Sequence, residues 1–246
     1  MSRVELHVAF LPEEAGDSRG RVLIVVDVLR ATTSLLVLIE RGCAEVVVAP
    51  TVDAARRFGH AHRAALTAGE EGGRAPEGFD FGNSPVVFAR ADVAGRQVVL
   101  ATTNGTRALH AARDGALVLA GCLRNRAAVA REAAAAAAER GADLTVVCAG
   151  REGRFSLDDA YTAGGIVEPF LSDPVPRREL VPTDAALAAL ALYRVHPDAE
   201  AIFRNTRAGQ NVIGIGLEDD LRYCAERDRS TTVPRVGDRV RLLARL

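Results

Sequence analysis

Buried parallel strands that end in polar loops are the feature of this chain that most restricts its fold. Three runs of branched apolar residues change abruptly into hydroxyl, acid and Arg residues before a predicted helix: LIVVDVLRATTS (Leu23–Ser34), VVLATTNGTRAL (Val98–Leu109) and LTVVCAGREGRFSLDD (Leu144–Asp159). Continuous apolar runs are typical of strands buried on both faces of a parallel sheet. Open α/β sheets bind ligands beyond the carboxyl ends of such strands. The three loops therefore predict one site for an anionic, phosphorylated ligand.

The alternation of strands and helices predicts an α/β fold with three layers, α/β/α, around a largely parallel or mixed central sheet. Residues 1–246 are predicted to form a single domain with a helical C-terminal portion from about residue 183. The last segment, VPRVGDRVRLLARL, is predicted to be a short edge strand or a tail. The predicted strands are Val4–Phe10, Val22–Val28, Glu45–Ala49, Gln97–Ala101, Leu117–Leu119 and Leu144–Cys148, and the predicted helices are Thr32–Arg41, Val52–Ala64, Thr106–Arg113, Arg124–Arg140, Thr183–His196 and Ala199–Thr206.

Composition and charge exclude several classes of protein. A net charge of −1 gives no basic field to attract nucleic acid or anionic lipid, and the apolar runs are too short to cross a bilayer. The N-terminus lacks the pattern of a signal peptide, so we expect a cytoplasmic protein. Lys is absent, which leaves Arg as the only permanently charged cation for an anion. An apolar helix face in Ala185–Tyr193 is a candidate subunit interface of a homo-oligomer, but core packing is the favoured interpretation.

Two further patterns concern the organisation of the chain. Arg30–Val48 and Leu100–Ala120 both read as strand end, ATT, helix, Gly and strand. This similarity indicates either an internal duplication or the general likeness of βαβ units. The segment Thr67–Pro85 is rich in Gly, Pro and acid and is too long for an ordinary connection, so we interpret it as a functional loop. Glu70 or Asp80 in it is a candidate carboxylate, and the turn containing Asn83 and Ser84 is a candidate for presenting polar groups.

The first strand-end loop contains the clearest metal and anion candidates. Asp27 lies near the end of a buried strand, where a carboxylate is costly unless it meets a metal, an Arg or several donors. Magnesium prefers carboxylate oxygens, so Asp27 is a candidate Mg²⁺ ligand. Taken alone, Asp27 is better explained by a structural role, either as the cap of the following turn or as the partner of Arg30 in an ion pair. Thr32, Thr33 and Ser34 give more hydroxyls than one helix cap requires, which favours an anion site.

The second and third loops repeat this chemistry. Asn104 and Gly105 suit a tight turn that aims backbone N–H groups at a phosphate, with Thr103, Thr106 and Arg107 beside it. A simple Asn-Gly turn with a Thr cap is the alternative. In the third loop, Asp158 or Asp159 is a candidate second acid for a metal site with Asp27, or Ser156 and Asp159 form an imperfect capping box. Cys148 ends the strand, and a nucleophilic role for it is the minor alternative to a buried thiol.

Six segments together resemble one known family. VVDVLRATTS, GEEGGRAPEGFDFGNSP, TTNGTRA, AGREGRFSLDD, PTDAA and GLEDDLRYCAERDRSTTVP occur in this order between about Val22 and Pro234. The chain resembles the 2-phosphosulfolactate phosphatase family, which is associated with coenzyme M biosynthesis. The resemblance implies a three-layer α/β/α fold and Mg²⁺-dependent hydrolysis of 2-phospho-3-sulfolactate to 3-sulfolactate and phosphate.

The resemblance also implies roles for the candidate residues. Asp27, Arg30, Asp158 and Asp159 are predicted to be catalytic, and Asp27, Glu70 and Asp159, with Asp158 as the alternative to Asp159, are predicted to bind Mg²⁺. The predicted substrate-binding residues are Thr32, Thr33, Ser34, Asn83, Ser84, Thr103, Asn104, Gly105, Thr106 and Arg107. The nucleophile is expected to be an activated water rather than Asp27, because the DxDx(T/V) pattern of aspartyl-phosphate phosphatases is absent. The alternative functions are hydrolysis of another small 2-phospho acid and anion binding without catalysis.

Overall fold

The computed structural model describes residues 3–172 and 179–244. In this part of the chain nine parallel strands form two sheets, one of five strands in the order β6-β2-β7-β1-β8 and one of four strands in the order β4-β5-β3-β9. The strands are β1 (Arg3–Ala9), β2 (Val22–Val26), β3 (Glu45–Val48), β4 (Leu66–Gly69), β5 (Gln97–Ala101), β6 (Leu117–Gly121), β7 (Leu144–Cys148), β8 (Glu179–Pro182) and β9 (Val240–Leu242). The predicted α/β class is confirmed, and the structure adds that the strands lie in two sheets rather than in one.

Ten helices surround and separate the two sheets in the described residues. They are α1 (Ala31–Glu40), α2 (Val52–Ala61), α3 (Pro85–Phe88), α4 (Gly105–Ala111), α5 (Arg126–Arg140), α6 (Leu157–Ser172), α7 (Asp184–Val195), α8 (Ala199–Asn205), α9 (Arg207–Gly214) and α10 (Asp219–Ala225). The helical C-terminal portion is present as α7 to α10, and Thr183 caps α7 by accepting the amide of Ala186. No helix in these described ranges is long and apolar enough to cross a membrane.

Alternating strand residues build a core on both faces of each sheet. In β2, Ile24 packs with the helices α5 to α7, whereas Leu23 and Val25 face the layer between the sheets. In β3, Val46 faces that same layer and Val47 packs against α2 on the outer side. Each sheet is therefore the middle of an α/β/α sandwich, and the helices between the sheets are shared.

Helix α1 is buried on all sides because it lies between the two sheets. Ala31 to Ile39 are all buried, and Leu36 packs with the first core while Leu35 and Leu38 pack with the second. A helix that is apolar all around is stable only when it is enclosed in this way. The sequence ATTSLLVLIE thus specifies a central helix, and this enclosure decides where its polar first turn lies.

The topology supports an internal duplication. In the first half (residues 22–88) the chain runs β2-α1-β3-α2-β4, and in the second half (residues 97–172) it runs β5-α4-β6-α5-β7. The order of the equivalent strands is the same, since β2 lies between β6 and β7 in one sheet and β5 lies between β3 and β4 in the other. The strands β2 and β5 are exchanged, because each is separated from the other two strands of its own half and lies between two strands of the other half.

Two of the changes in predicted boundaries bear on the position of the candidate residues. The segment Thr67–Pro85 is not a loop throughout, because Leu66–Gly69 forms β4 at the edge of the second sheet. Strand β2 ends at Val26, so Asp27 lies just beyond the strand rather than inside it. The C-terminal segment forms a short edge strand, Val240–Leu242, which is the first of its two predicted alternatives; Arg245 and Leu246 lie outside the described residues.

Candidate active site

One polar cavity of about 130 Å³ lies where the strand ends of both sheets meet. The loops after β2 and β5 form two sides of it, and the turns after β4 and β7, with α9, complete the wall. Its lining residues are Asp27, Leu29, Arg30, Glu70, Gly72, Gly73, Asn83, Thr102, Thr103, Asn104, Arg151, Glu152, Ala208, Asn211 and Val212. The sequence-based prediction of one site shared by the three loops is therefore consistent with the structure, and its volume suits a small molecule.

Asp27 is a buried carboxyl at the centre of this arrangement. Its Oδ1 accepts the amide of Ala31 at 3.2 Å, and the amide of Gly105 also hydrogen-bonds to the carboxyl. Burial, together with the charges of Asp158 and Glu70, raises the pKa of Asp27 to about 7. Few donors compensate this carboxylate, so it is well suited to interact with a cation or to accept a proton.

Arg30 is fixed at the cavity by a buried ion pair that the sequence did not reveal. Its Nη1 donates to Asp220 Oδ2 at 2.9 Å, and its Nη2 donates to the carbonyl of Gly73 at 2.8 Å. The other oxygen of Asp220 accepts the hydroxyl of Ser84 at 2.7 Å and the amide of Val86 at 3.3 Å. Asp220 therefore holds Arg30 in place and joins α10 to the wall of the cavity.

Glu70 and Asp159 both use their carboxylates to hold backbone amides. Glu70 accepts the amides of Thr103 at 2.7 Å and Gly73 at 2.8 Å. Asp159 accepts the amides of Val28 at 3.0 Å and Gly150 at 3.1 Å, and it does not line the cavity. The pKa of Asp159 is raised well above its usual range by burial and by the charges of Asp158 and Asp27.

The predicted three-carboxylate metal site is not assembled. Within residues 3–172 and 179–244, no group of three or more His, Cys, Asp or Glu side chains is arranged to hold a metal ion. Asp159 lies behind the loop that it supports, and only Asp27 and Glu70 of the predicted ligands face the cavity. Asp80, the alternative acid, accepts the amide and hydroxyl of Thr67 and lies away from the cavity.

Asp158 lies between the candidate site and a neighbouring cavity. Its Oδ1 accepts the hydroxyl of Ser156 at 2.6 Å, so Ser156 binds this acid instead of closing a capping box with Asp159. Burial raises the pKa of Asp158, although the hydrogen bond from Ser156 and the charge of Arg151 oppose the shift. Asp158 lines the adjacent cavity, together with Arg151 and Arg154, rather than the cavity that contains Asp27.

The hydroxyls of the first turn of α1 do not reach the cavity. Thr32 Oγ1 donates to the carbonyl of Asp27 at 2.9 Å, and Thr33 Oγ1 donates to the carbonyl of Val28 at 3.0 Å. Ser34 Oγ is buried and has no hydrogen-bond partner among the described residues. Because α1 is enclosed between the sheets, these side chains shape the loop that carries Asp27 and do not contact a ligand in the cavity.

Only some of the substrate-binding residues predicted in the second loop, the loop after β5, line the cavity. Thr103 and Asn104 line the cavity, whereas Thr106 accepts the amide of Thr102 at 3.0 Å and supports the loop from behind. Gly105 has no room for a side chain, because a Cβ atom there would lie 2.4 Å from the Cβ of Ala31. Arg107 points away from the cavity and contacts Glu13 at 3.7 Å. Its predicted role in substrate binding therefore has no support from its position.

In the turn Asn83-Ser84, likewise, only one of the two residues reaches the cavity. Asn83 lines the cavity, is 3% exposed, and its Oδ1 has no hydrogen-bond partner in the described part of the chain. Ser84 instead donates to Asp220 and caps α3 by accepting the amide of Val87.

The cysteine at the end of β7, Cys148, is fully buried. Burial, together with the charges of Asp159 and Asp158, raises the pKa of the Cys148 thiol well above its usual range, which argues against a nucleophilic thiolate.

Several residues of the site were missed in the sequence. Thr102, Arg151 and Glu152 lie in loops that were singled out but were not chosen as site residues. Asn211 and Asp220 come from helices far along the chain; Asn211 carries no local signal, whereas Asp220 lies in the segment GLEDDLRYCAERDRSTTVP, which was quoted for the family resemblance without a role being assigned to it. Only a repeated turn pattern, EGGR at Glu71–Arg74 and REGR at Arg151–Arg154, offered a clue to Arg151.

Comparison with known proteins gives consistent matches over nearly the whole chain. The profile of a family described as 2-phosphosulpholactate phosphatase matches residues 9–239. A Thermus thermophilus protein is 41% identical over 222 residues, 89% of each chain. A Deinococcus radiodurans protein is 41% identical over 214 residues, 87% of this chain and 86% of that protein, and one from Gloeobacter violaceus is 34% identical over 235 residues, 94% and 95%. All three are named probable 2-phosphosulfolactate phosphatase, and the matched region includes every loop of the cavity.

Proposed function

Because the chain belongs to the 2-phosphosulpholactate phosphatase family, we propose that it is a phosphoric monoester hydrolase that converts 2-phospho-3-sulfolactate to 3-sulfolactate and phosphate. The observation that carries this proposal is the pair of Asp27 and Arg30 at one small, polar cavity. A buried carboxyl whose pKa is about 7, in the same cavity as a fixed guanidinium, suits the hydrolysis of an anionic ester better than anion binding alone. The resemblance also makes coenzyme M biosynthesis the proposed pathway.

Arg30 is proposed to bind the phosphate of the substrate. Two of its five N–H donors are used by Asp220 and Gly73, so donors remain for phosphate oxygens. The ion pair keeps the guanidinium in one orientation, which lowers the entropy lost when the substrate binds. Asn83 and Asn104, which also line the cavity, add neutral polar contacts.

Mg²⁺ is proposed as the cofactor, with Asp27 and Glu70 as its protein ligands. The two side chains face the same cavity, and the charge of Glu70 disfavours ionisation of Asp27, an effect that a bound cation would relieve. Magnesium usually binds through one or two carboxylates with water and substrate phosphate as the other ligands, so the absence of a third convergent carboxylate in the described residues is compatible with it. When bound, the ion would neutralise charge on the phosphoryl group.

Asp27 and its surroundings are proposed to orient a water molecule for attack on phosphorus. Glu70, Asp159 and Asp220 accept hydrogen bonds from backbone amides of the segments around the cavity, so the reacting groups are held in a preorganised site. The leaving oxygen is the C2 hydroxyl of the product. Asp27 as the nucleophile remains the alternative.

Phosphate release tests the proposal. We expect release from 2-phosphosulfolactate that requires Mg²⁺ and stops with EDTA, and slower but measurable release from 2-phospholactate. Asp27→Asn should lower kcat by at least about 100-fold without unfolding the protein, whereas Asp114→Asn, an exposed acid, should not. If the purified protein with Mg²⁺ released no phosphate from any 2-phospho acid, the assignment as a phosphatase would be refuted. Preference for 2-phospholactate would support the related enzyme instead.

A further inference from the structure

The two halves of the duplicated fold contribute equivalent loops to the cavity. The first half supplies the loop after β2 and the turn after β4, and the second supplies the loop after β5 and the turn after β7. Both turns have the same geometry: Glu71 pairs with Arg74 across Gly72 and Gly73, whose φ values are 60° and 87°. In the second half, Arg151 pairs with Arg154 across Glu152 and Gly153, whose φ values are 53° and 73°. The cavity is therefore lined by two turns that have the same backbone conformation.

The hydrogen bonds that link the halves are reciprocal. Glu70 of the first half accepts the amide of Thr103, the second residue after β5. Asp159 of the second half accepts the amide of Val28, the second residue after β2. Each acid also accepts an amide close to its own turn, that of Gly73 or Gly150. A carboxylate of each half thus holds the loop of the other half, but only Glu70 also lines the cavity.

The side chains at equivalent positions of the two halves differ. The residue that follows β2 is Asp27, and the residue that follows β5 is Thr102. The first residue of the turn pair is Glu71 in one half and Arg151 in the other, and only Arg151 lines the cavity. The first half therefore contributes the carboxylates of Asp27 and Glu70 and the neutralised guanidinium of Arg30, and the second half contributes a hydroxyl, a guanidinium and the exposed Glu152.

Arg151 has little of its charge compensated. Its shortest ion pair in residues 3–172 and 179–244 is a 3.9 Å contact with Glu152, a side chain that is 73% exposed. The buried Asp158 interacts with Arg151 electrostatically without forming an ion pair with it. Arg30 differs, because Asp220 neutralises it at 2.9 Å. Arg151 is thus the cavity-lining cation with the most capacity for a second anion.

We propose that Thr102 and Arg151 form the subsite for the sulfonate of the substrate, and that Arg151 determines the specificity for it. This inference rests on the proposed function. Phosphate and sulfonate are both tetrahedral oxyanions, so two loops with the same backbone suit one each. The phosphate belongs beside Asp27 and Glu70, where the two carboxylates can share a cation with it. The sulfonate is a monoanion that accepts hydrogen bonds, and a guanidinium with a hydroxyl matches it.

Selectivity between two substrates tests this subsite. 2-Phospholactate has the phosphate and the carboxylate but lacks the sulfonate. We expect Arg151→Gln to lower kcat/KM for 2-phosphosulfolactate by about 10- to 100-fold, mainly through KM, and to change kcat/KM for 2-phospholactate by less than about threefold. Arg151→Lys should restore part of the loss, and Arg154→Gln, the other half of the turn, should retain the selectivity. Equal losses for both substrates, or no loss for either, would overturn the proposal.

A binding measurement separates this inference from the proposed function. Calorimetric titration with 3-sulfolactate and with lactate requires no turnover. We expect the wild type to bind 3-sulfolactate at least about 10-fold more tightly than Arg151→Gln does, with no difference for lactate. If the wild type hydrolyses neither ester but this difference is found, the phosphatase assignment fails and the sulfonate subsite stands. If the wild type does not bind 3-sulfolactate, or binds it no better than the variant, the subsite is refuted.

Discussion

Asp27 lies at a position where its ionised carboxylate destabilises the folded state. It is a carboxyl enclosed by the protein, with other carboxyls near it and no ion pair to a cation among the described residues. Such a group destabilises the folded state whenever it is ionised, because desolvation disfavours the charged form. Residues that are costly in this way are typical of functional sites, where stability is lost in exchange for activity.

The pH dependence of stability should reveal this cost in the metal-free protein. The pKa of Asp27 is raised from 3.8 to about 7 in the folded state. Between these values the folded state binds a proton that the unfolded chain releases. The free energy of unfolding in EDTA should therefore fall as the pH rises from about 4 to 7, by at most about 1.4 kcal/mol per unit for this group, and level off above it.

Urea unfolding at several pH values measures this effect. Asp27→Asn should have a smaller slope between about pH 4 and 7 and should exceed the wild type in stability at pH 8, whereas Asp114→Asn should behave as the wild type does. The raised pKa values of Asp158 and Asp159 leave part of the slope in the variant. Identical slopes in Asp27→Asn and the wild type would contradict the assigned environment of Asp27.

Asp220 should matter for stability as well as for activity. Asp220→Asn leaves the buried guanidinium of Arg30 without its counter-charge, and removal of one member of a buried ion pair costs about 3–5 kcal/mol. We expect chemical denaturation to show that loss. Asp219→Asn is the matched control, since Asp219 is the exposed neighbour on the same helix. A variant at Asp220 as stable as the control would show that the ion pair contributes nothing.

At the scale of elements, the enclosure of α1 decides which polar residues reach the cavity. The sequence indicated that Thr32, Thr33 and Ser34 exceed what a helix cap needs, and this inference was reasonable from local chemistry. Their hydroxyls face the backbone of their own loop or the core, because both sides of the helix are covered by sheets. Local sequence shows that a residue is polar but not which way its side chain points once a second sheet packs over it.

The contact of α1 with α4 depends on Gly105. A Cβ atom at Gly105 would lie 2.4 Å from Ala31 Cβ and 2.7 Å from Asp27 Oδ2. Gly105→Ala should therefore push the two loops apart, reduce stability by about 1–3 kcal/mol and lower kcat/KM. Gly214→Ala, at a helical position with no atom within 4 Å of the added Cβ, should be neutral or slightly stabilising. Thermal unfolding and phosphate release measure both variants, and equal behaviour would argue against the close approach.

At the scale of the whole molecule, the strand exchange prevents the two halves from being independent. Strand β3 of the first half pairs with β5 of the second, and β6 of the second half pairs with β2 of the first. Neither half can complete its sheet alone. This arrangement explains why one cavity, rather than two, is formed between equivalent loops.

Unfolding should consequently be a single cooperative transition. Because the sheets share strands, neither half has a core that survives the loss of the other. We expect urea transitions followed by far-UV circular dichroism and by hydrogen exchange in each half to coincide, with equal calorimetric and van't Hoff enthalpies. Two separated transitions would contradict both the coupling of the halves and the prediction of a single domain over residues 1–246.

The α/β class, the buried strands and the polar loops could be predicted from the amino-acid sequence. These features depend on local periodicity, since a strand buried on both faces must be apolar throughout and must end where polar residues begin. The ordered segments also identified the family. Of the predicted site residues, six line the cavity because they lie in the loops themselves: Asp27, Arg30, Glu70, Asn83, Thr103 and Asn104.

The division of the strands between two sheets, and with it the contacts between distant side chains, became visible only in the folded structure. Arg151 and Asn211 face the cavity, Asp220 holds Arg30, and Asp159 holds backbone, because distant segments pack around the same strand ends. These contacts follow from the exchange of β2 and β5 between the halves, which no local pattern encodes. The polar loops can thus be recognised in the sequence, whereas the set of side chains that lines the cavity depends on the long-range packing of the fold.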